Sequence, residues 1–375
     1  MFRSFFLAGF ECATGYNVHG RWIDQIAATQ HDRFADDDYR RIREVGIRAV
    51  REAVRWPLVD RGGRFDFSSL APFLAAARRH DLDVVWDLFH FGYPDEVDLF
   101  SDAFPERFAE YCRAAARHVA AETEGPWWFT PVNEPSYFAW AAGDAALFAP
   151  HQHGRGFELK LRLARAGILG GEAIRAEAPG ARILSVDALC RVVAPLGRPD
   201  LEAEAAAWNR DIVFQSLDLL AGRLHPELGG SRAALGTVGV NYYWTNQWEL
   251  GRAGTPLSDT DPRHTPLREL VRDVWRRYGG DIVLAETGHR DDQRAPWVRH
   301  VAEEAKALRD LGVPLRGVCL YPILGMPEWH APERFTRMGL WDLVPRSPTL
   351  GRELHAPMLE ALREAQAILG ITSFS

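Results

Sequence analysis

Two glutamates, each closing an apolar run, have the spacing and setting of a working carboxyl pair. The first ends the segment Thr130-Pro131-Val132-Asn133-Glu134-Pro135, and the second lies in Leu284-Ala285-Glu286-Thr287-Gly288. Cleaving a glycosidic bond needs one carboxyl group to protonate the departing oxygen and another to attack or stabilise the developing oxocarbenium ion. Each segment alone has a plainer reading. Asn133 and Pro135 suit the stop of a strand and the start of a helix, and a charged residue often closes a strand. The pair gains its weight from the elements that must position it.

Those elements read as eight βα units. Apolar runs over Phe6–Cys12, Ile47–Val54, Val84–Phe89, Trp127–Val132, Ile183–Leu189, Val238–Tyr242, Ile282–Ala285 and Gly317–Leu320 predict strands. Amphipathic segments over Asp37–Val45, Phe104–Glu122, Leu159–Ala178, Leu201–Ala221, Pro266–Tyr278, Trp297–Leu311 and Leu354–Leu369 predict helices, with a weaker one around Ser69–His80. Strands that are apolar on both faces and alternate with helices suit a closed (β/α)8 TIM barrel better than an open sheet. No Pro/Gly/Ser-rich linker divides the chain, so residues 1–375 are expected to form one catalytic domain. The irregular stretch from Trp244 to Thr265 is expected to cross the barrel mouth. Active sites of this fold gather at the carboxyl ends of the strands, which is where Glu134 and Glu286 fall.

Composition narrows the chemistry further. A formal charge of -7 without a basic stripe gives a nucleic acid nothing to bind. Cys12, Cys112, Cys190 and Cys319 are widely separated and read as core or free thiols, not as a disulfide frame or zinc site. Glu11 breaks the first apolar run too soon for a signal peptide, and no run approaches the roughly 20 apolar residues of a membrane span; a cytoplasmic location is the default expectation. Strand-end histidines number only His90 and His289, too few for a metal-dependent barrel hydrolase. No cofactor and no metal are expected, and oligomeric state is not readable.

The strand-end segments also resemble glycoside hydrolase clan A, and among its members family 1, the β-glucosidase and β-galactosidase family. Arg51 in Val50-Arg51-Glu52-Ala53-Val54-Arg55-Trp56-Pro57 is similar to the family's strand-two arginine, and Leu88-Phe89-His90-Phe91-Gly92-Tyr93-Pro94 to its strand-three L-x-H-W-D-L-P. Val240-Asn241-Tyr242-Tyr243 resembles the strand-six N-Y-Y. Leu324-Gly325-Met326-Pro327-Glu328-Trp329 and Arg337-Met338-Gly339-Leu340 resemble the strand-eight segment and the later R-F-G-L. The ordered matches run from strand one to strand eight.

The resemblance implies a retaining β-glycosidase with Glu134 as acid/base and Glu286 as nucleophile, acting on a carbohydrate substrate. Arg51 beside a nucleophilic carboxylate would favour its ionised form, and Tyr243 would donate a hydrogen bond to it. Asn17, His90, Asn133, Asn241 and Glu328 are then the expected holders of sugar hydroxyls, with Trp329 as a flat wall and Trp56 and Trp341 as further walls. Departures fall in the pocket: Asn17 stands for the family's glutamine, His19 for a glutamate, Phe91-Gly92 for Trp-Asp, and Thr287-Gly288 for Asn-Gly. His330-Ala331-Pro332 lacks the Ser and Lys that phosphosugar-cleaving members carry, so a 6-phospho substrate is disfavoured. Transglycosylation by the same pair and a silent sugar-binding barrel are the alternatives, and retention of both glutamates weighs against the second.

Overall fold

Eight parallel strands hydrogen-bond side by side and close on themselves. In the computed structural model, which describes residues 1–371, they are β1 (Phe6–Gly9), β2 (Ala49–Ala53), β3 (Asp83–Phe89), β4 (Trp128–Val132), β5 (Arg182–Ala188), β6 (Thr237–Asn241), β7 (Ile282–Thr287) and β8 (Leu315–Leu320). The ring closes where β8 pairs with β1, Leu7 beside Cys319, and β1 pairs with β2. The principal outer helices are α1 (His31–Glu44), α2 (Ala71–His80), α3 (Phe104–Glu122), α4 (Gly156–Glu177), α5 (Gln215–Leu220), α6 (Leu267–Tyr278), α7 (Arg294–Asp310) and α8 (Ala356–Ile368). This is the expected (β/α)8 barrel; the end of the 1–375 span, residues 372–375, lies outside the described residues.

Alternation along the strands splits the core into two layers. Leu7, Ala49, Val85, Leu184, Val186, Val283, Ala285 and Cys319 pack inside the barrel, whereas Phe6, Val50, Trp86 and Leu284 pack outward against the helices. The interior leaves little spare volume near β1. A Cβ on Gly9 would lie 2.0 Å from the ring of Tyr321, so glycine there makes room for an aromatic that the site uses.

Two expectations are corrected. The predicted helix over Leu201–Ala221 is broken: a short helix Glu202–Ala207 runs into a π turn at Trp208–Ile212 before α5 begins. The cause is local, because the Asn209 amide brackets Val192, accepting from its N–H at 2.9 Å and donating to its carbonyl at 2.8 Å. The loop after β6 is partly ordered by a strand, Gln247–Glu249, that pairs with Arg191–Val193. All four cysteines are free thiols. No helix among the described residues is long and apolar enough to cross a membrane.

Candidate active site

The carboxyl ends of β2, β3, β4, β6 and β7 bring polar side chains together around Arg51. On β2, Ala49 faces the barrel interior, so period-two alternation turns Arg51 inward as well. Its guanidinium is fully buried and its five N–H groups are all engaged. Nε and Nη2 reach the Asp87 carboxylate of β3, Nη1 donates to the Ala285 carbonyl at 2.8 Å and to Glu286 Oε1 at 2.9 Å, and Nη2 also donates to Asn133 Oδ1 at 3.0 Å.

Glu286 reaches this cluster through an irregularity of β7. Val283 and Ala285 both face the barrel interior, so strict alternation would send Glu286 outward. Between Val240 and Asn241 of β6 the partner on β7 jumps from Leu284 to Glu286, the signature of a bulge, and a bulge re-aims the side chain that follows it. Glu286 is 4% exposed. Arg51 holds one of its oxygens, and the Tyr243 hydroxyl donates to the other at 2.9 Å.

Glu134 has a different setting. It adopts φ +46° and ψ +56°, a left-handed conformation unfavourable to a side chain with a Cβ. The strain is held from both flanks: Asn133 N–H donates to Phe89 O, Glu134 N–H to Val186 O, and Pro135 opens the short helix Pro135–Gly143. Its Oε1 accepts from Asn241 Nδ2 at 2.9 Å, and no cation among the described residues is bonded to it. Burial pushes the Glu134 carboxyl well above its usual range, and the negative charge of Glu286 adds to that push.

His90 and Asn133 orient one another. Arg51 can only donate, so Asn133 turns Oδ1 toward it and Nδ2 toward His90 Nε2, 3.2 Å away. On its other side His90 places Nδ1 3.0 Å from an Asp87 oxygen. Burial alone would raise the Asp87 carboxyl; the adjoining Arg51 charge and the His90 bond hold it below its usual range.

The sequence reading missed two members of this cluster. Asp87 lies in a strand that reads as apolar, although its inward register with Val85 was available as a signal. Glu11 lies inside the predicted first strand, Phe6–Cys12, but the observed strand ends at Gly9, which puts Glu11 just past the strand end, where chemistry is expected in this fold. Its Oε1 accepts from Ala13 N–H at 2.9 Å and from the Tyr321 hydroxyl at 3.4 Å. Burial, opposed by His90 and reinforced by Glu286, pushes its carboxyl up to about 7.

Asn17, expected to hold a sugar hydroxyl, is used otherwise. It is fully buried; Oδ1 accepts from the His19 and Arg21 N–H groups, and Nδ2 donates to the Trp329 carbonyl at 2.9 Å. It ties the loop after β1 to the loop after β8. Trp329 packs its ring against Phe91, Phe148 and Tyr137, while its indole N–H is buried without a partner. Glu328 is part-exposed with Arg334 3.7 Å away. Trp56 and Trp341 are core residues, not pocket walls: Trp56 is enclosed by Phe104, Phe108 and Tyr111. Gly92, where the family has aspartate, has a packing reason, because a Cβ there would meet Thr14 Oγ1 at 2.0 Å.

Among the described residues, Cys12, Asp87 and His90 are the one trio close enough to share a metal ion. Asp87 is already bonded to the Arg51 guanidinium and to His90 Nδ1–H, a positive setting that opposes a cation.

No family model matches the sequence, and no curated protein matches it. Solved structures do. The family 1 β-glucosidase from Thermotoga maritima superposes with a TM-score of 0.78 at 15% identity, over 99% of this chain and 98% of its own. The β-glucosidase of the same organism in complex with galacto-hydroximolactam gives 0.77 at 16% identity, over 96% and 97%. At such identity the likeness establishes the fold, a (β/α)8 barrel of the kind those enzymes have.

Proposed function

We propose that the protein is a retaining β-glycosidase that removes a terminal, unphosphorylated β-linked sugar, with Glu286 as nucleophile and Glu134 as acid/base. The observation that carries this reading is the unequal treatment of two neighbouring carboxyl groups. Glu286 is fixed by an arginine and a phenol that both donate to it, which favours a carboxylate ready to attack. Glu134 is walled in without a cation and kept protonated by burial and by the charge of Glu286, as a general acid must be.

The chemistry then balances in two steps. A Glu286 oxygen forms a bond to the anomeric carbon as the glycosidic C–O bond breaks, and the departing oxygen takes the Glu134 proton. Glycosylation removes the negative charge from Glu286, so one cause of Glu134's raised pKa disappears and Glu134 becomes the base for the second step. It takes a proton from water, the water oxygen bonds to the anomeric carbon, and Glu286 leaves with its electron pair. Arg51 and Tyr243 accept that returning charge without rearrangement.

Glu328, standing after β8 with no lysine following, accepts from a neutral diol and repels a phosphate dianion, a repulsion that Arg334, 3.7 Å away, offsets in part. Proton NMR of the first product formed from an aryl β-glycoside tests the reading: the β anomer should appear first. The α anomer would overturn it in favour of inversion. Azide should rescue Glu134→Ala with a β-glycosyl azide product; rescue of Glu286→Ala with retention would reverse the roles.

A further inference from the structure

Glu11 is a third carboxyl group beside the pair, and it lacks a partner that could neutralise it. One oxygen, Oε1, is held by Ala13 N–H and the Tyr321 hydroxyl. The other, Oε2, takes no hydrogen bond among the described residues yet is not among the buried polar atoms left without one, so it is an oxygen through which a residue only 6% exposed keeps accessible surface. The groups facing it cannot answer it. His90 Nε2 is 3.8 Å from Oε1 and already faces the Asn133 amide; every Arg51 N–H is spent on β3, β4 and β7; Glu286 repels it. The remaining neighbours are the phenols Tyr321, Tyr243 and Tyr137 and the buried Cys12 thiol, which burial holds well above its usual range.

We propose that Glu11 is a specificity-determining residue, accepting hydrogen bonds through Oε2 from hydroxyl groups of the terminal sugar, the task that Asn17 is placed to do in sequence but not in space. Asn17 has both lone pairs of Oδ1 taken by backbone N–H groups and its Nδ2 tied to a carbonyl, so it has no acceptor left for a ligand and at most one N–H. Glu11 offers what a sugar needs: a buried acceptor with an unused lone pair, beside the nucleophile. A site of buried polar groups that pair with substrate hydroxyls discriminates strongly against analogues lacking them. This inference rests on the glycosidase reading above and adds to it the β1 residue that reads the sugar. It also predicts a pH-dependent grip, because a carboxylate accepts more strongly than a carboxylic acid, and Glu11 changes between those forms near pH 7.

The test is competitive inhibition by the free product sugar against a nitrophenyl β-glycoside, from about pH 5.5 to about pH 8.5, in wild type, Glu11→Gln and Asn17→Ala. Wild type should bind the sugar about fivefold to tenfold more tightly at the upper end, since charge-assisted hydrogen bonds are roughly twice as strong as neutral ones. Glu11→Gln keeps an oxygen for Ala13 N–H and should show a flat, weak profile, whereas Asn17→Ala, which loosens the loop carrying Trp329, should weaken binding at every pH and keep the wild-type slope. A Glu11→Gln profile parallel to wild type overturns the inference. If Glu11→Gln does not fold, a pH-independent inhibition constant in wild type is itself sufficient to overturn it. An active wild type with such a constant refutes only this inference; a wild type that cleaves no β-glycoside removes the parent reading and this one together.

Discussion

Arg51 and Glu52 are consecutive on β2 and face opposite ways, each at the centre of a buried charge cluster, and the two clusters are finished differently. Outside the barrel, His31 sits between Asp38 and Glu52, at 2.9 Å from each. Tyr39 donates to Glu52, Arg352 clasps Asp38, and the Phe10 ring stacks on the imidazole at 3.6 Å. Two acids meet an imidazolium and two guanidinium groups, since Arg41 also reaches Asp38 at 3.4 Å, and neither acid lacks a partner. Inside, Arg51 is equally saturated, yet the carboxyl groups around it keep spare capacity: Glu134 has no cation bonded to it, and Glu11 has a free oxygen. A closed cluster of buried charge can only stabilise or destabilise the fold, whereas an incomplete one has capacity that a substrate can complete.

The sharpest way to break the comparison is to remove the inner hub. Arg51→Met should leave Asp87 and Glu286 buried without their counter-charge, and kcat/KM should fall by about 10³-fold. Activity within tenfold of wild type would mean that the nucleophile does not depend on this guanidinium. The outer hub should respond in the opposite currency. His31→Leu should cost about 3–5 kcal/mol of unfolding free energy by exposing Asp38 and Glu52 to each other, while kcat/KM of the folded protein stays within about threefold.

A smaller effect sharpens the same contrast. Burial opposes the charge on His31, but Glu52 and Asp38 raise its pKa to about 9 from the ordinary 6.5. A raised basic pKa stabilises the fold fully below pH 6.5, and that contribution is lost as pH rises through about 9. Thermal melts of wild type should therefore fall across this interval, and His31→Leu should lose the part of that slope due to His31; equal slopes in both would remove the imidazolium from the account.

Much of the inner cluster was legible in the chain because the barrel places chemistry at strand ends. Glu134, Glu286, Tyr243, Asn133, Asn241 and His90 follow or end apolar runs, Arg51 interrupts one, and the fold brings them together. What was not legible depends on contacts distant in sequence. Asn17 is taken from the pocket by a carbonyl 312 residues away. Glu11 gains its setting from Tyr321, which fits only because Gly9 lacks a Cβ. Glu286 points inward by virtue of a bulge that no apolar pattern announces. The break near Trp208 likewise comes from one asparagine finding a neighbouring strand, against a stretch whose alanines and glutamates favour continuous helix.

The central claim is that Glu286 forms the covalent bond while Glu134 handles the proton. Incubation with an activated 2-deoxy-2-fluoro-β-glycoside, followed by peptide mapping in a mass spectrometer, tests it most directly, because the fluorine slows release of the sugar more than its attachment. The account predicts one added sugar per chain, on the peptide containing Glu286 and on that residue. Attachment to Glu134, or steady turnover of ordinary β-glycosides with no adduct and an inverted product, would contradict it.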